Sequence, residues 1–215
     1  MNSLTCPLCV HDFESTDVFF QDKKRCYHQC PQCSLVFVTP EERLTPDQEL
    51  EEYKLHENHV DDAGYRKFLN RALSPLVPMV DSFTNALDFG CGPGPLLAIM
   101  LREYGIETSI YDPFFFPSRD VLNTSYSLIT CTEAIEHFHH PHKEWELWQS
   151  LIASDGVILI MTKRVLDRER FKHWHYKNDP THVCFFSEAT FRYLGQKYHY
   201  DVQFPTNDVV LMKKL

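Results

Sequence analysis

The sequence predicts an α/β fold, a mostly parallel sheet with helices on both faces and an antiparallel last strand, preceded by a small cysteine-bearing module. Three observations carry this reading. From about residue 84, apolar strand-like runs alternate with stretches of helical periodicity. The first such run leads into residues 87–95, L-D-F-G-C-G-P-G-P, which hold three of the chain's seven glycines. Near the N-terminus, Cys6-Pro-Leu-Cys9 and Cys30-Pro-Gln-Cys33 form two C-x-x-C pairs separated by 20 residues. The organisation expected is a ribbon over 1–40, a helical linker or lid over 41–83, and the sheet domain over 84–215.

The totals narrow the function classes. A chain of 215 residues suits one α/β domain with a small appendage. No apolar run approaches the ~20 residues of a membrane span, and the N-terminus lacks the basic-then-apolar pattern of a secretory signal. A formal net charge of -9 disfavours a generic binder of phosphate backbones, whose affinity comes from clustered Lys and Arg. Of eight cysteines, Cys91 and Cys131 read as core strand ends and four have metal spacing, so a reduced, cytoplasmic protein is expected.

Taken in order, Cys6, Cys9, Cys30 and Cys33 read as a tetrahedral four-thiolate zinc site. Four protein ligands close the coordination sphere, so the metal would be structural. Between them a hairpin is expected, Asp17 to Gln21 and Arg25 to Gln29 around Asp22-Lys23-Lys24. Cys26 and His28 lack a partner at knuckle spacing and belong on that hairpin. Residues 41–62 carry nine acids and read as a solvated helix, with Thr45 as N-cap, Pro46 at the first position and Gln48 closing a capping box. A second helix follows from Gly64, burying Leu69, Ala72, Leu73 and Leu76 together with Tyr65 and Phe68. Between the two, Tyr53, His56 and Asn58 are candidate substrate-binding residues; they either close over a pocket or decorate a helix surface.

Residues 107–112 form the next strand, ending in Asp112, followed by the aromatic loop Pro113-Phe114-Phe115-Phe116-Pro117. Residues 127–131 form another strand, running into Thr132-Glu133-Ala134-Ile135-Glu136-His137. A helix bearing Trp145, Trp148, Leu151 and Ile152 is expected to stop at Asp155-Gly156, before an apolar strand over 157–161. A basic stretch, 163–172, leads to Tyr176, Asp179 and His182. Ser187 caps a helix to Gly195, and strands over 200–204 and 208–213 close the chain.

The glycine turn selects among ligands. The dinucleotide pattern G-x-G-x-x-G fails, because its third glycine position, counted from Gly90, is Pro95. The P-loop fails for want of Gly-Lys-Ser/Thr. What stands is Asp88-x-Gly90-x-Gly92-x-Gly94, with Asp112 twenty residues beyond Gly92. This resembles the first motif of class I S-adenosylmethionine-dependent methyltransferases. The segment ending Glu136-His137 is similar to that family's fourth-strand segment, and Ser154-Asp155-Gly156 stands where many members have Pro-Gly-Gly.

The resemblance covers roughly 84–215 and implies a Rossmann-like methyltransferase sheet with S-adenosylmethionine as cofactor. It assigns cofactor binding to Asp88, Gly90, Cys91, Gly92, Gly94, Asp112, Pro113, Phe114, Thr132 and Glu133, with Asp112 on the ribose hydroxyls. Some bacterial methyltransferases, including sugar C-methyltransferases, carry a similar four-cysteine module. One departure stands out: only fourteen residues separate Asp112 from Ser127, with no acid after a plausible third strand. That strand is expected to be short or missing, and adenine would lie against Phe114 or Phe115 unless these rings simply cover the sheet edge.

Methyl transfer needs positioning and proton management, for which histidine suits neutral pH. His137 leads the catalytic candidates, followed by His182, Tyr176 and Asp179. His139, His140 and His142 flank Pro141 in a loop and are not expected to bind metal. The expected acceptor is a small molecule such as a sugar, a metabolite or a natural-product intermediate. The alternative is an RNA or protein acceptor docked through the ribbon, supported by Lys23, Lys24, Arg25 and the 163–172 stretch. A binding protein without enzymatic activity is the third class.

Overall fold

The computed structural model describes residues 2–15, 18–55 and 60–215. His56 and Asn58, two of the substrate-binding candidates, and Asp17 of the expected hairpin lie outside the described residues. Among those described, no helix is long and apolar enough to cross a membrane.

The main sheet has six strands: β6 (Asn85–Phe89), β7 (Glu107–Tyr111), β8 (Tyr126–Thr132), β9 (Ile152–Met161), β11 (Tyr200–Gln203) and β12 (Val209–Lys214). Their order is β11-β12-β9-β8-β6-β7. The β7-β6-β8-β9 half is parallel, whereas β12 runs antiparallel to both β9 and β11. Side-chain alternation puts one half of each central strand on each face. Ile158 and Ile160 of β9 join the core beneath α4 (Pro141–Leu151) and α6 (Glu188–Tyr198). Val157, Leu159 and Met161 join the core beneath α2 (Ala63–Leu73) and α3 (Leu96–Glu103). Burial on both faces explains why β9 reads as a continuous apolar run.

Among the described residues β7 is a sheet edge, so the expected shortening is realised as a missing strand. The chain leaves β7 through an Asp112–Phe116 bridge and a 3-10 turn, Arg119–Asn123, and enters β8 directly. Two boundaries differ from expectation. α4 ends at Leu151 and β9 starts at Ile152, with Asp155 and Gly156 inside the strand, because a register shift between Tyr126 and Leu128 accommodates the extra residues. α6 continues past Gly195 to Tyr198. Gly195 marks a close approach rather than a helix end, since a Cβ there would lie 2.4 Å from Val202 Cγ2.

The N-terminal module contains a hairpin, β1 (Asn2–Thr5) with β2 (Asp12–Ser15), and three short strands, β3 (Phe20–Gln21), β4 (Cys26–Gln29) and β5 (Val36–Val38). Its four-stranded sheet is completed by β10 (Cys184–Phe185), which comes from the far end of the chain, in the order β10-β5-β4-β3. The two cysteine turns share one geometry. Val10, after Cys9, and Ser34, after Cys33, both adopt a left-handed backbone, and each amide donates to the carbonyl of the first cysteine of its pair.

The linker helix α1 (Pro46–Tyr53) has the expected capping box between Thr45 and Gln48. It is not wholly solvated, however. Glu49 is buried and its carboxylate meets His139 Nε2 at 2.8 Å. Arg43, just before it, donates to Val38 O and His139 O. These bonds fix α1 over the ends of the parallel strands.

Candidate active site

A cavity of about 490 Å³ opens at the carboxyl ends of β6, β7 and β8. That is where crossover connections leave a crevice in a parallel sheet. Its floor is the glycine turn. Gly90 has φ +75° and sits so close to Ala134 that a Cβ would lie 2.6 Å from that residue's Cβ. Gly92 has φ +63°, but a Cβ there would meet nothing within 4 Å. The first glycine therefore serves packing, and the second leaves backbone open to the cavity.

Asp112 ties this end together. Its carboxylate accepts from the amide of Gly92 at 3.0 Å and from those of Phe114 and Phe115 at 2.9 and 3.1 Å. Asp88, at the end of β6, accepts from Thr130 Oγ1 at 2.8 Å. Burial pushes its pKa up to about 6. Pro113, Phe114 and Phe115 line one wall; Tyr65 and Phe68 of α2 line another. Burial likewise holds the Tyr65 phenol up at about 12.

The other end is formed by the segment after β8 and by residues 176–182. Glu133 adopts φ +48°, a left-handed conformation unusual for a non-glycine residue. A 3-10 turn, Ile135–His137, then presents Glu136 and His137. His137 Nδ1 lies 3.3 Å from Thr181 O, and His182 Nδ1 lies 2.7 Å from Tyr176 O. The two imidazoles meet edge to face with centroids 4.6 Å apart. Asp179 Oδ2 is 3.7 Å from His182 Nε2. The Asp179 carboxyl is opposed by burial but is held below its usual range by the Thr181 hydroxyl, His182 and the Thr181 amide. Tyr53 from α1 reaches over this end, with its ring 5.3 Å from Phe114 and 5.4 Å from His137. Burial first, then Glu49 and Asp112, push its phenol pKa up.

Behind this wall lies a buried acid network. Glu136 accepts from Tyr176 Oη and, at 3.0 Å, from Thr162 Oγ1. Burial and the neighbouring Glu133 push Glu136 up to about 8, and burial pushes Glu133 up to about 7.

Most sequence-derived candidates meet in this cavity. Asp88, Gly90, Cys91, Gly92, Asp112, Pro113, Phe114, Thr132, Glu133, His137, Asp179, His182 and Tyr53 all line it. Gly94 does not, and Tyr176 sits one layer back, bound to Glu136 and packed on His182 with ring centroids 4.2 Å apart. Sequence reasoning missed Glu49 because it sits in an acidic run, and it read Tyr65 and Phe68 as core because their spacing is helical. Glu136 was visible only as part of a motif.

The wall that carries His182 rests on the N-terminal module. Arg25 is buried and spends its guanidinium on that support, donating to the carbonyls of Lys177, Asp179 (2.9 Å), Pro180 (3.3 Å) and His182 (2.8 Å), and from Nε to Tyr27 Oη. It is therefore unavailable to an external nucleic acid, unlike its exposed neighbours Lys23 and Lys24. Within the module Cys6, Cys9, Cys30 and Cys33 bring their sulfurs within 4.8 Å of one another, a group that could hold a metal ion. The Cys6–Cys33 and Cys9–Cys30 pairs are each 3.5 Å apart.

No curated protein matches the chain. A family model described as a methyltransferase domain matches residues 58–203. The fold is similar to that of human N-acetylserotonin methyltransferase in complex with SAM, at 15% identity and a TM-score of 0.53, covering 68% of this chain and 51% of that one. This chain thus spans about half the length of the human enzyme. It is also similar to a SAM-dependent methyltransferase from Archaeoglobus fulgidus, at 17% identity and a TM-score of 0.53, covering 78% of this chain and 99% of that one.

Proposed function

This chain belongs to the methyltransferase-domain family, and from that premise we propose that it moves the methyl group of S-adenosylmethionine to a small-molecule acceptor. One observation carries the reading: a single cavity joins the glycine turn and Asp112 at one end to His137, His182 and Asp179 at the other. S-adenosylmethionine, when bound, supplies a sulfonium-activated methyl group for in-line displacement.

The residues fit such a group. Gly92 leaves its backbone open, and the oxygens of Asp112, already oriented by three amides, are suited to two ribose hydroxyls. Asp88 is a buried carboxyl at the cavity wall, held by the Thr130 hydroxyl, which suits a cofactor ammonium. Phe114 and Phe115 offer aromatic faces to adenine where the missing strand would have brought an acid. At the far end His137, His182 and Asp179 orient the acceptor and manage its proton, with Tyr176 as their support. Tyr53 covers both. A cavity of about 490 Å³ flanked by residues of α1 and α2 favours a small acceptor over a macromolecule.

The four cysteines would hold zinc as a structural ion. Zinc–sulfur bonds of about 2.3 Å in a tetrahedron place sulfurs roughly 3.7 Å apart, close to the spacing of the two pairs. All four ligands come from the protein, so no position is open for chemistry.

Calorimetry with S-adenosylhomocysteine tests the cofactor assignment. Asp112→Ala should weaken binding by more than tenfold, about 1.4 kcal/mol. Equal affinity in the two proteins removes Asp112 from the site, and no binding by the parent protein ends the reading.

A further inference from the structure

We propose that the methyl acceptor is an organic amine, anchored in the cavity by its ammonium group on Glu49, with the methylated atom elsewhere in the same molecule. This deepens the methyl-transfer reading and rests on it.

The charge of the cavity is one-sided. Glu49, Asp88, Asp112, Glu133 and Asp179 line it, and among the described residues no lysine or arginine does. None of the residues outside that description is a lysine or arginine either. The cations nearby are held elsewhere. Arg25 and Arg43 donate to backbone carbonyls. Arg71 pairs with Asp208 at 2.7 Å, and Lys163 Nζ lies 3.4 Å from His175 Nε2. Lys163 and Arg71 still act on Glu133, so its charge is partly offset. Asp88 and Asp112 are taken by the ammonium and ribose of the cofactor. Glu49 and Asp179 remain for the acceptor.

These two carboxyls differ. Asp179 Oδ1 accepts from the amide and hydroxyl of Thr181 at 2.9 and 2.6 Å, and Oδ2 faces His182 Nε2 at 3.7 Å. It adds negative charge to the cavity but has little hydrogen-bonding capacity left. Glu49 is only 6% exposed. Its Oε1 meets His139 Nε2 at 2.8 Å, while its Oε2 has no hydrogen-bond partner among the described residues. A buried carboxylate oxygen without a donor is costly, and a ligand that brings the donor removes that cost. Tyr53 lies four residues on, on the same face of α1. Burial first, then Glu49, Asp112, Asp179 and Glu136, push its phenol up, so carboxyls surround that ring. Tyr53, Phe114 and Phe138 give the cavity aromatic walls suited to a flat body.

Charge decides the class of acceptor. An ammonium brings N–H donors and a positive charge together to Glu49. A neutral hydroxyl also donates, but leaves the carboxylate charge uncompensated. A phosphate or carboxylate brings acceptors only, and would meet two carboxyls with no cation beside them. A protonated nitrogen has no lone pair to receive a methyl group. The ammonium is therefore the anchor, and the nucleophile is a second atom on the same flat, apolar body.

Three probes with one aromatic body and different head groups test this: tyramine, tyrosol and para-hydroxyphenylacetate. Calorimetry on the full chain measures each, with and without S-adenosylhomocysteine. Tyramine should bind at least about tenfold more tightly than tyrosol, and para-hydroxyphenylacetate more weakly still. Glu49→Gln should bring tyramine and tyrosol to within about threefold of each other, with S-adenosylhomocysteine affinity at the parent level. His139→Gln breaks the same pair but keeps the Glu49 carboxylate, and should keep the preference for tyramine. Equal affinity for the probes, a preference for the acid, or no tyramine binding at millimolar concentration overturns the proposal. A preference that survives Glu49→Gln overturns it too. Equal loss in His139→Gln does the same, because the docking of α1 rather than the charge is then responsible. No amine preference with S-adenosylhomocysteine still bound defeats this proposal alone. No S-adenosylhomocysteine binding with the amine preference intact defeats the methyl-transfer reading alone.

Discussion

The two ends of the cavity are built on different principles. At the glycine end the parts are close in sequence: Asp88, Gly90 and Gly92 lie on one turn, and Asp112 reaches across to the Gly92 amide twenty residues away. At the histidine end they are assembled from afar. Arg25 lies more than 150 residues from the carbonyls it holds, and β10 finds its partner in β5 of the N-terminal module. Among the described residues the module lines no part of the cavity, yet it supports one of its ends. The lesson is that a module outside a site can be needed for half of that site's geometry and irrelevant to the other half.

Three experiments would break or sharpen that contrast, in order of expected size. Cys30→Ser, or chelation of the zinc proposed for the four cysteines, should have the largest effect, since structural zinc can supply most of the folding energy of such a module. Hydrogen exchange should rise over residues 18–38 and 177–185. Methyl transfer should fall at least ~100-fold, as expected when reacting groups are misplaced by about an ångström. Cofactor affinity should stay within about threefold of the parent value. An equal loss of cofactor affinity would erase the distinction between the two ends.

Arg25→Met should come next. It keeps much of the stem but removes a donor from four backbone carbonyls, of which Lys177 O retains Tyr27 Oη and Asp179 O retains the His182 amide, at a cost of about 3 kcal/mol in urea denaturation. Turnover should fall without a change in S-adenosylhomocysteine affinity. Arg25→Lys should recover little, because an ammonium cannot reproduce the five-donor fork. Wild-type turnover in the Met variant would show that the segment holds itself.

The smallest effect belongs to the glycine end and concerns pH. Burial raises Asp88 from the ordinary 3.8 to about 6, so the folded state binds its proton more tightly than the unfolded state does. Its contribution is therefore complete below about pH 4 and is lost as pH rises through about 6. Asp88→Asn retains an acceptor for Thr130 and should flatten that part of the stability–pH curve. The same slope in both proteins would mean that Asp88 titrates normally.

Legibility in the sequence followed the same division. Thr45-Pro46-x-Gln48 announced a capping box because every participant lies within one helical turn. The glycine turn, the acid at 112 and the two cysteine pairs were readable for the same reason: each is a local device with a fixed spacing. Glu49 could not be separated from the acids around it, because only the fold turns it towards His139. Arg25 looked like one more cation in a basic turn, and Tyr176 like a residue of the cavity surface rather than of the layer behind it.

By itself, then, the sequence determined the α/β class, the glycine turn with its two aspartates, and the paired cysteines, all of which depend on backbone conformations and spacings that a few neighbouring residues impose. The tertiary structure alone decided that β7 ends the sheet, that the N-terminal module's sheet borrows β10, and that Glu133, His137, Asp179 and His182 line one cavity with Glu136 behind them. Those outcomes depend on which distant surfaces pack together, and packing is a property of the whole chain rather than of any stretch within it.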